Sequence, residues 1–278
     1  MTDNTEFRED NTEFREDNTE FREDNTEFIE DIKHTNTEIN IKNSLFKLMN
    51  EYHIEGSAHD KLYNNIIYYP RQGLSQILSL NFLYNKIINL HGNIFEFGCR
   101  YGAKTTTFFN LKKIYEPYNY NRKIIAFDTF NGFCEIDNKD NTCQNQLLLT
   151  ENNYSTTKNY ENHLTNVMEA HQMNAPNSHI DQFEIIKGDA SIKINEWLEN
   201  NKHALASLVY FDMDVYKPTK ECLNKILQIC SKGTILCFDE LNHKSWPGET
   251  LAVLEELNIK NYKIERCPFL MNMGFIEL

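Results

Sequence analysis

Leu208-Val209-Tyr210-Phe211-Asp212-Met213-Asp214-Val215-Tyr216 and, further along, Thr234-Ile235-Leu236-Cys237-Phe238-Asp239-Glu240 are two apolar runs of strand length that end abruptly in carboxylates. A segment of helical character joins them. In an open parallel α/β sheet, ligands sit outside the carboxyl ends of the strands. Two neighbouring strand ends would therefore point four acids into one crevice. Crowded carboxylates repel one another, and a cation between them is the simplest resolution. On this reading Asp212, Asp239 and Glu240 hold a divalent metal, and Asp214 does proton chemistry beside it.

Three earlier runs share the pattern. Ile94-Phe95-Glu96-Phe97 is followed by Gly98-Cys99-Arg100-Tyr101-Gly102 and a helix from Ala103. An acid near a strand end, a glycine turn and a helix make the nucleotide-binding start of a doubly wound fold. Gly98 would admit a ligand to the backbone, and Gly102 would let helix and strand pack closely. The two glycines do not have the dinucleotide spacing, and a plain tight turn explains them equally well. Lys123-Ile124-Ile125-Ala126-Phe127 ends at Asp128, where ribose hydroxyls are usually held, although a turn aspartate also fits. Phe183-Glu184-Ile185-Ile186-Lys187 leads to Gly188-Asp189-Ala190, with Asp189 placed to meet an adenine amino group or to cap the next helix.

Helices are expected over 44–53, 75–90, 155–171, 217–230 and 249–257, with Gly233 breaking the fourth. A final pair of strands is expected at 262–264 and 273–276. Strands alternating with helices imply an α/β, doubly wound Rossmann-like fold: a mostly parallel seven-stranded sheet with helices on both faces. The polar, Asn-rich stretch 138–153 reads as a mobile loop or lid.

The 278 residues allow one large or two modest domains, and a 40% hydrophobic content suffices for a core. No run of about 18 apolar residues predicts a membrane span. The polar N-terminus predicts no secretory signal. Seven cysteines without CxxC spacing, several in apolar segments, predict a cytoplasmic protein without disulfides. Residues 1–31 carry thirteen acids and three arginines, so −10 of the net charge of −13 lies there and −3 elsewhere. No basic patch supports nucleic-acid binding.

That acidic segment is a repeat: Asp-Asn-Thr-Glu-Phe-Arg-Glu from Asp3, Asp10 and Asp17, with a variant from Asp24. Phe7, Phe14, Phe21 and Phe28 would form one helical stripe, whereas coiled coils usually have two apolar positions per heptad. Residues 1–42 thus read as a solvated, partly helical or disordered arm, with homo-oligomerisation through the repeats as the sharper alternative.

Glu96-Phe97-Gly98-Cys99-Arg100-Tyr101-Gly102, Asp128-Thr129-Phe130-Asn131-Gly132-Phe133, Asp212-Met213-Asp214-Val215-Tyr216 with Thr219 and Leu223, Asp239-Glu240 and Pro247-Gly248-Glu249-Thr250-Leu251-Ala252-Val253 occur in this order across roughly 92–257. Together they resemble class I S-adenosylmethionine-dependent methyltransferases, and more closely the macrocin O-methyltransferase family of metal-dependent sugar O-methyltransferases. The resemblance makes residues 43–278 the methyltransferase domain. It implies that Glu96, Gly98, Arg100, Gly102, Asp128, Thr129, Asp189, Ala190 and Asp212 bind S-adenosyl-L-methionine. It makes Asp212, Asp239 and Glu240 the ligands of Mg²⁺ or another hard divalent cation, and Asp214 the general base. Glu240 departs from the family's usual Asp-Asp pair by one methylene. His243, Tyr216 and Trp246 would touch the substrate.

The residue types suit that chemistry. An alcohol needs deprotonation to attack a methyl group, and metal coordination lowers a hydroxyl pKa. Two neighbouring sugar hydroxyls would chelate the metal and select the oxygen that faces the methyl. The expected partner is a small molecule or glycan. Two rival readings are a glycosyltransferase using Asp212-Met213-Asp214 to hold a nucleotide-sugar, and a non-catalytic adapter assembled through the repeat arm.

Overall fold

The computed structural model describes residues 36–51, 54–142 and 148–278. The repeats between Asp3 and Glu30 lie outside the described residues, as do their expected helicity and self-association. The chain divides into two units between Ser44 and Leu45. Of the first, the described part is the start of helix α1 (Asn36–Glu51).

The larger unit runs α2 (Ala58–Asn64), α3 (Arg71–Ile87), β1 (Asn93–Phe97), α4 (Ala103–Tyr115), β2 (Ile124–Asp128), α5 (Tyr160–Met173), β3 (Phe183–Lys187), α6 (Ala190–Asn200), β4 (Ala206–Phe211), α7 (Tyr216–Ile226), β5 (Cys230–Phe238), α8 (Gly248–Glu256), β6 (Ile264–Arg266) and β7 (Gly274–Glu277). These strands form one sheet of order β3-β2-β1-β4-β5-β7-β6. The pairs among β1 to β5 are parallel, and β7 is antiparallel to both β5 and β6. The alternating strands and helices thus form the mostly parallel, doubly wound sheet expected from the sequence.

Each sheet face has its own core. Ile94, Ala126, Leu208, Tyr210 and Cys237 pack with Leu83, Phe108 and Met168 from α3, α4 and α5. Phe95, Phe97, Phe127, Phe211 and Phe238 pack with residues of α6, α7 and α8 on the other face. On that second face Phe127, Phe97, Phe211 and Phe238 stack in a row, with successive ring centroids 5.1, 5.3 and 4.8 Å apart. Burying each ring contributes about 1.5–3 kcal/mol. The row lies across four adjacent strands at their carboxyl ends, so it also fixes the level at which those strands finish.

Some element boundaries differ from expectation. α7 stops at Ile226, and both Cys230 and Gly233 belong to β5, where the Gly233 N–H donates to the Leu278 carbonyl at 2.5 Å. Gly233 therefore serves a strand with positive φ and does not end a helix. α2 was not anticipated, although Ser57 and Asp60 form a reciprocal capping box at its start. The described parts of 138–153 are pinned: Leu149 is buried, and the Asn152 N–H donates to the Phe133 carbonyl at 3.1 Å. The six described cysteines are free, and no described helix is long and apolar enough to cross a membrane.

Candidate active site

The sheet order reverses between β1 and β4, which opens a crevice at their carboxyl ends. Backbone pairing continues one residue beyond the strands. Gly98 N–H donates to the Phe127 carbonyl at 2.8 Å, Asp212 N–H to Phe97 at 2.9 Å, and Asp239 N–H to Phe211 at 3.1 Å. Asp212 and Asp239 are therefore neighbours on adjacent strand ends. Gly98 has φ +92°, and a Cβ there would lie 2.0 Å from the Asp212 carbonyl oxygen. Only glycine lets the β1 and β4 turns meet this closely. Gly102, at φ +76°, makes room for Leu164 of α5, not for a strand as expected.

The acids at this edge have a partner that sequence reasoning missed. Lys104, in the first turn of α4, forms an ion pair with Asp212, and both side chains are largely buried. Burial alone would lower the Lys104 pKa, but Asp212, Asp239 and Glu96 outweigh it and hold the ammonium charged. Burial draws the Asp212 pKa upward, Lys104 opposes it, and Asp239 and Asp214 add to the rise. Asp239 accepts from the Tyr210 hydroxyl. Glu96 is fully buried, and its Oε2 accepts from Thr105 Oγ1 at 2.5 Å. Burial raises it to about 7, against the pull of Lys104 and Thr105.

A second unforeseen residue is the acid Glu249, at the start of α8. It is fully buried, and its Oε2 accepts from the Glu240 N–H at 3.0 Å. Burial raises its pKa well above normal, and Asp214, Asp239 and Asp212 push it further. The strand-end acids thus have a further carboxylate beside them. Its signal was present as Pro247-Gly248-Glu249, a helix start whose glycine admits no side chain: a Cβ on Gly248 would lie 2.5 Å from the Tyr216 nitrogen and 2.6 Å from the Asp214 carbonyl. Asp214 itself has φ +60°, in a turn closed by the Val215 N–H to the Met213 carbonyl at 2.6 Å. Glu240 sits with His243, whose Nδ1 is 3.4 Å from Glu240 Oε2. Among the described residues, no three Asp, Glu, His or Cys side chains stand together as a closed metal-ligand set.

Further along the edge, Asp128 accepts from the backbone N–H groups of Arg100 at 2.7 Å and Phe130 at 2.6 Å, tying the β1 and β2 turns together. Burial raises its pKa despite those bonds. Asp189 caps α6, accepting from Ser191 N–H at 2.9 Å and Ser191 Oγ at 2.7 Å. Ala190, the first residue of that helix, is buried. Thr129, Lys187, Gly188 and Asp189 help line an open cleft of about 400 Å³ beside the ends of β2 and β3. That lies within the usual size range of small-molecule sites. The Arg100 guanidinium lies over the Tyr101 and Tyr154 rings, 4.9 and 5.0 Å from their centroids.

Two residues expected near the substrate are engaged elsewhere. Trp246 is buried in a small cluster with Phe133, Leu149 and Val215. The Tyr216 hydroxyl is bonded to Glu255 of α8 and to Lys139 and Lys220, a network tying α7 to α8.

This strand order, with glycine at the β1 turn and acids at the strand ends, is the class I methyltransferase fold, and the resemblance to macrocin-type sugar O-methyltransferases holds in three dimensions. The chain is similar to the calicheamicin methyltransferase CalS11, with 29% identity, a TM-score of 0.83 and coverage of 88% of this chain and 93% of that one. A second structure of CalS11, a TDP-rhamnose 3'-O-methyltransferase in calicheamicin biosynthesis, is 28% identical with a TM-score of 0.75, covering 88% and 95%. The O-methyltransferase NovP shares the fold at 13% identity and a TM-score of 0.52, over 74% of this chain and 80% of that one. No protein-family model matches the chain, and no curated protein sequence matches it.

Proposed function

We propose that this protein transfers a methyl group from S-adenosylmethionine to a hydroxyl of a sugar, with a nucleotide-linked deoxysugar as the first acceptor to test. The observation that carries this reading is similarity to CalS11 over 88% of this chain, together with the Gly98–Asp212 contact at the β1–β4 crevice. The donor supplies a sulfonium-bound methyl electrophile. Gly98 serves the chain itself, since the space a side chain would need is taken by the Asp212 carbonyl, and the cleft flanked by Thr129 and Asp189 suits the donor's nucleoside end.

Asp214 is the proposed base for the acceptor proton. Its left-handed backbone is an unfavourable conformation for a residue with a side chain, and such strain gathers at functional sites. Close packing of Gly248 on the Asp214 carbonyl holds the turn in place. Basic strength then matters less than reach to the hydroxyl.

No three of the described acids stand together as cation ligands, Asp212 is paired with Lys104, and Asp239 accepts from the Tyr210 hydroxyl, so these residues do not fit the Mg²⁺ that the resemblance implies.

Calorimetry with S-adenosylhomocysteine, followed by incubation with radiolabelled donor and TDP-rhamnose, free sugars or fractionated glycans, tests the reading. Binding of the donor product and label in a sugar hydroxyl are expected. No binding of S-adenosylhomocysteine would sink it.

A further inference from the structure

The turn that carries Asp214 stores strain and needs an outside hold. Its Met213 carbonyl accepts from the Val215 N–H at 2.6 Å, across an Asp214 at φ +60°. A three-residue turn with positive φ at its centre is the rarer, strained form. The turn runs straight into α7, whose first N–H groups have no partner within the helix. Val215, the residue before that helix, has no side-chain oxygen to cap them. The acceptor comes from 76 residues away, where Asp140 Oδ1 takes the Tyr216 N–H at 2.7 Å. Asp140 is only 1% exposed and closes a short 3₁₀ turn, Asn138–Asp140, with its Oδ2 accepting from the Asp137 N–H at 2.9 Å. One carboxylate thus bridges two backbone amides and cannot rotate without breaking a bond. Lys139 of the same turn donates to the Tyr216 hydroxyl at 2.8 Å, so Tyr216 is gripped at both ends. Gly248 closes the other side: a Cβ there would lie 2.6 Å from both Asp140 Oδ1 and the Asp214 carbonyl oxygen.

We infer that Asp140 is a positioning residue, which through the Tyr216 N–H fixes the turn that aims Asp214 at the acceptor hydroxyl. The inference rests on the reading of Asp214 as base. Reach to the hydroxyl is what that role demands, and the turn sets the reach. A misplacement of about 1 Å at a reacting group lowers a rate about 10²-fold, even when its cause lies away from the chemistry.

The test compares Asp140→Ala and Asp140→Asn in the full chain, each alone and combined with Asp214→Asn. Alanine removes both acceptors, whereas asparagine keeps an oxygen for the Tyr216 N–H. With TDP-rhamnose as acceptor, Asp140→Ala should lower kcat about 10- to 100-fold. The KM for S-adenosylmethionine should stay within about twofold, and Asp140→Asn should recover most of the loss. A residue acting through Asp214 has nothing more to remove once that carboxylate is gone, so Asp140→Ala should not slow Asp214→Asn further. An equal fall in both backgrounds makes Asp140 a plain helix cap and overturns the inference, as does wild-type kcat in Asp140→Ala. Wild-type turnover in Asp214→Asn removes the base, and the inference with it. Hydrogen exchange of peptides covering 212–216, read by mass spectrometry, needs no acceptor and decides the matter if TDP-rhamnose is not methylated. Faster exchange in Asp140→Ala, restored in Asp140→Asn, is expected, and protection equal to wild type overturns the inference. If Asp140→Ala fails to fold, Asp140→Ser takes its place in each comparison, its side chain stopping short of Tyr216.

Discussion

Asp214 and Glu96 are both carboxylates near the crevice, yet their surroundings differ. Asp214 lies on a strained turn against Gly248, where a side chain can be aimed at a substrate. Asp214→Asn keeps the shape and removes the basicity. Turnover should fall about 10²- to 10⁴-fold, while calorimetry shows S-adenosylhomocysteine affinity nearly unchanged. Wild-type turnover in that variant removes Asp214 as base. Glu96 is sealed between β1 and α4, with burial raising it from 4.5 to about 7. A raised carboxyl binds its proton more tightly in the folded state, so its contribution is complete below pH 4.5 and is lost as pH rises through about 7. That shift corresponds to roughly 3 kcal/mol at most. Melting curves of Glu96→Gln should therefore decline less than wild type between pH 5 and 8 (Lys104, Thr105, Asp128 and Asp239 being unchanged), and parallel curves would refute this.

At the scale of elements, the β1 and β4 turns meet through glycine. Gly98→Ala would set a methyl group 2.0 Å from the Asp212 carbonyl at a backbone φ of +92°. The strained φ and the overlap each cost on the order of 1–3 kcal/mol. The variant should melt well below wild type and lose donor binding. A melting temperature within a degree or two of wild type would show that these turns can part easily. The strands themselves were legible, because apolar runs ending in Asp128, Asp212 and Asp239 are local signals. Boundaries were less so. Cys230 and Gly233 read as a helix end and are strand, since β5 extends along its neighbours in a way no local pattern records. The Asp-x-Asp reading as a nucleotide-sugar site loses ground for the same reason: its acids end β4 of a methyltransferase sheet.

For the whole molecule, the arm and the sheet can be separated experimentally. The sheet and its crevice belong to residues 45–278. Deleting residues 1–35, ahead of α1, should leave kcat and donor affinity within about twofold, as expected for a change that leaves the site's contacts intact. Loss of turnover in the deleted chain would favour the adapter or oligomer reading of the repeats, and sedimentation of both forms would show which.

The sequence by itself determined the fold class, the strand-end acids and the glycine turn, because periodicity and strand termination are recorded within short stretches of chain. Tertiary structure alone decided which charges meet. Lys104 lies 108 residues from Asp212 and reaches it because β1 and β4 are neighbours in the sheet, and Glu249 joins the same acids from α8. The Asp189 cap is local by contrast, because Ser191 lies two residues away, and the sequence already offered it. Electrostatic pairing depends on distance in space, and the order of the strands sets that distance.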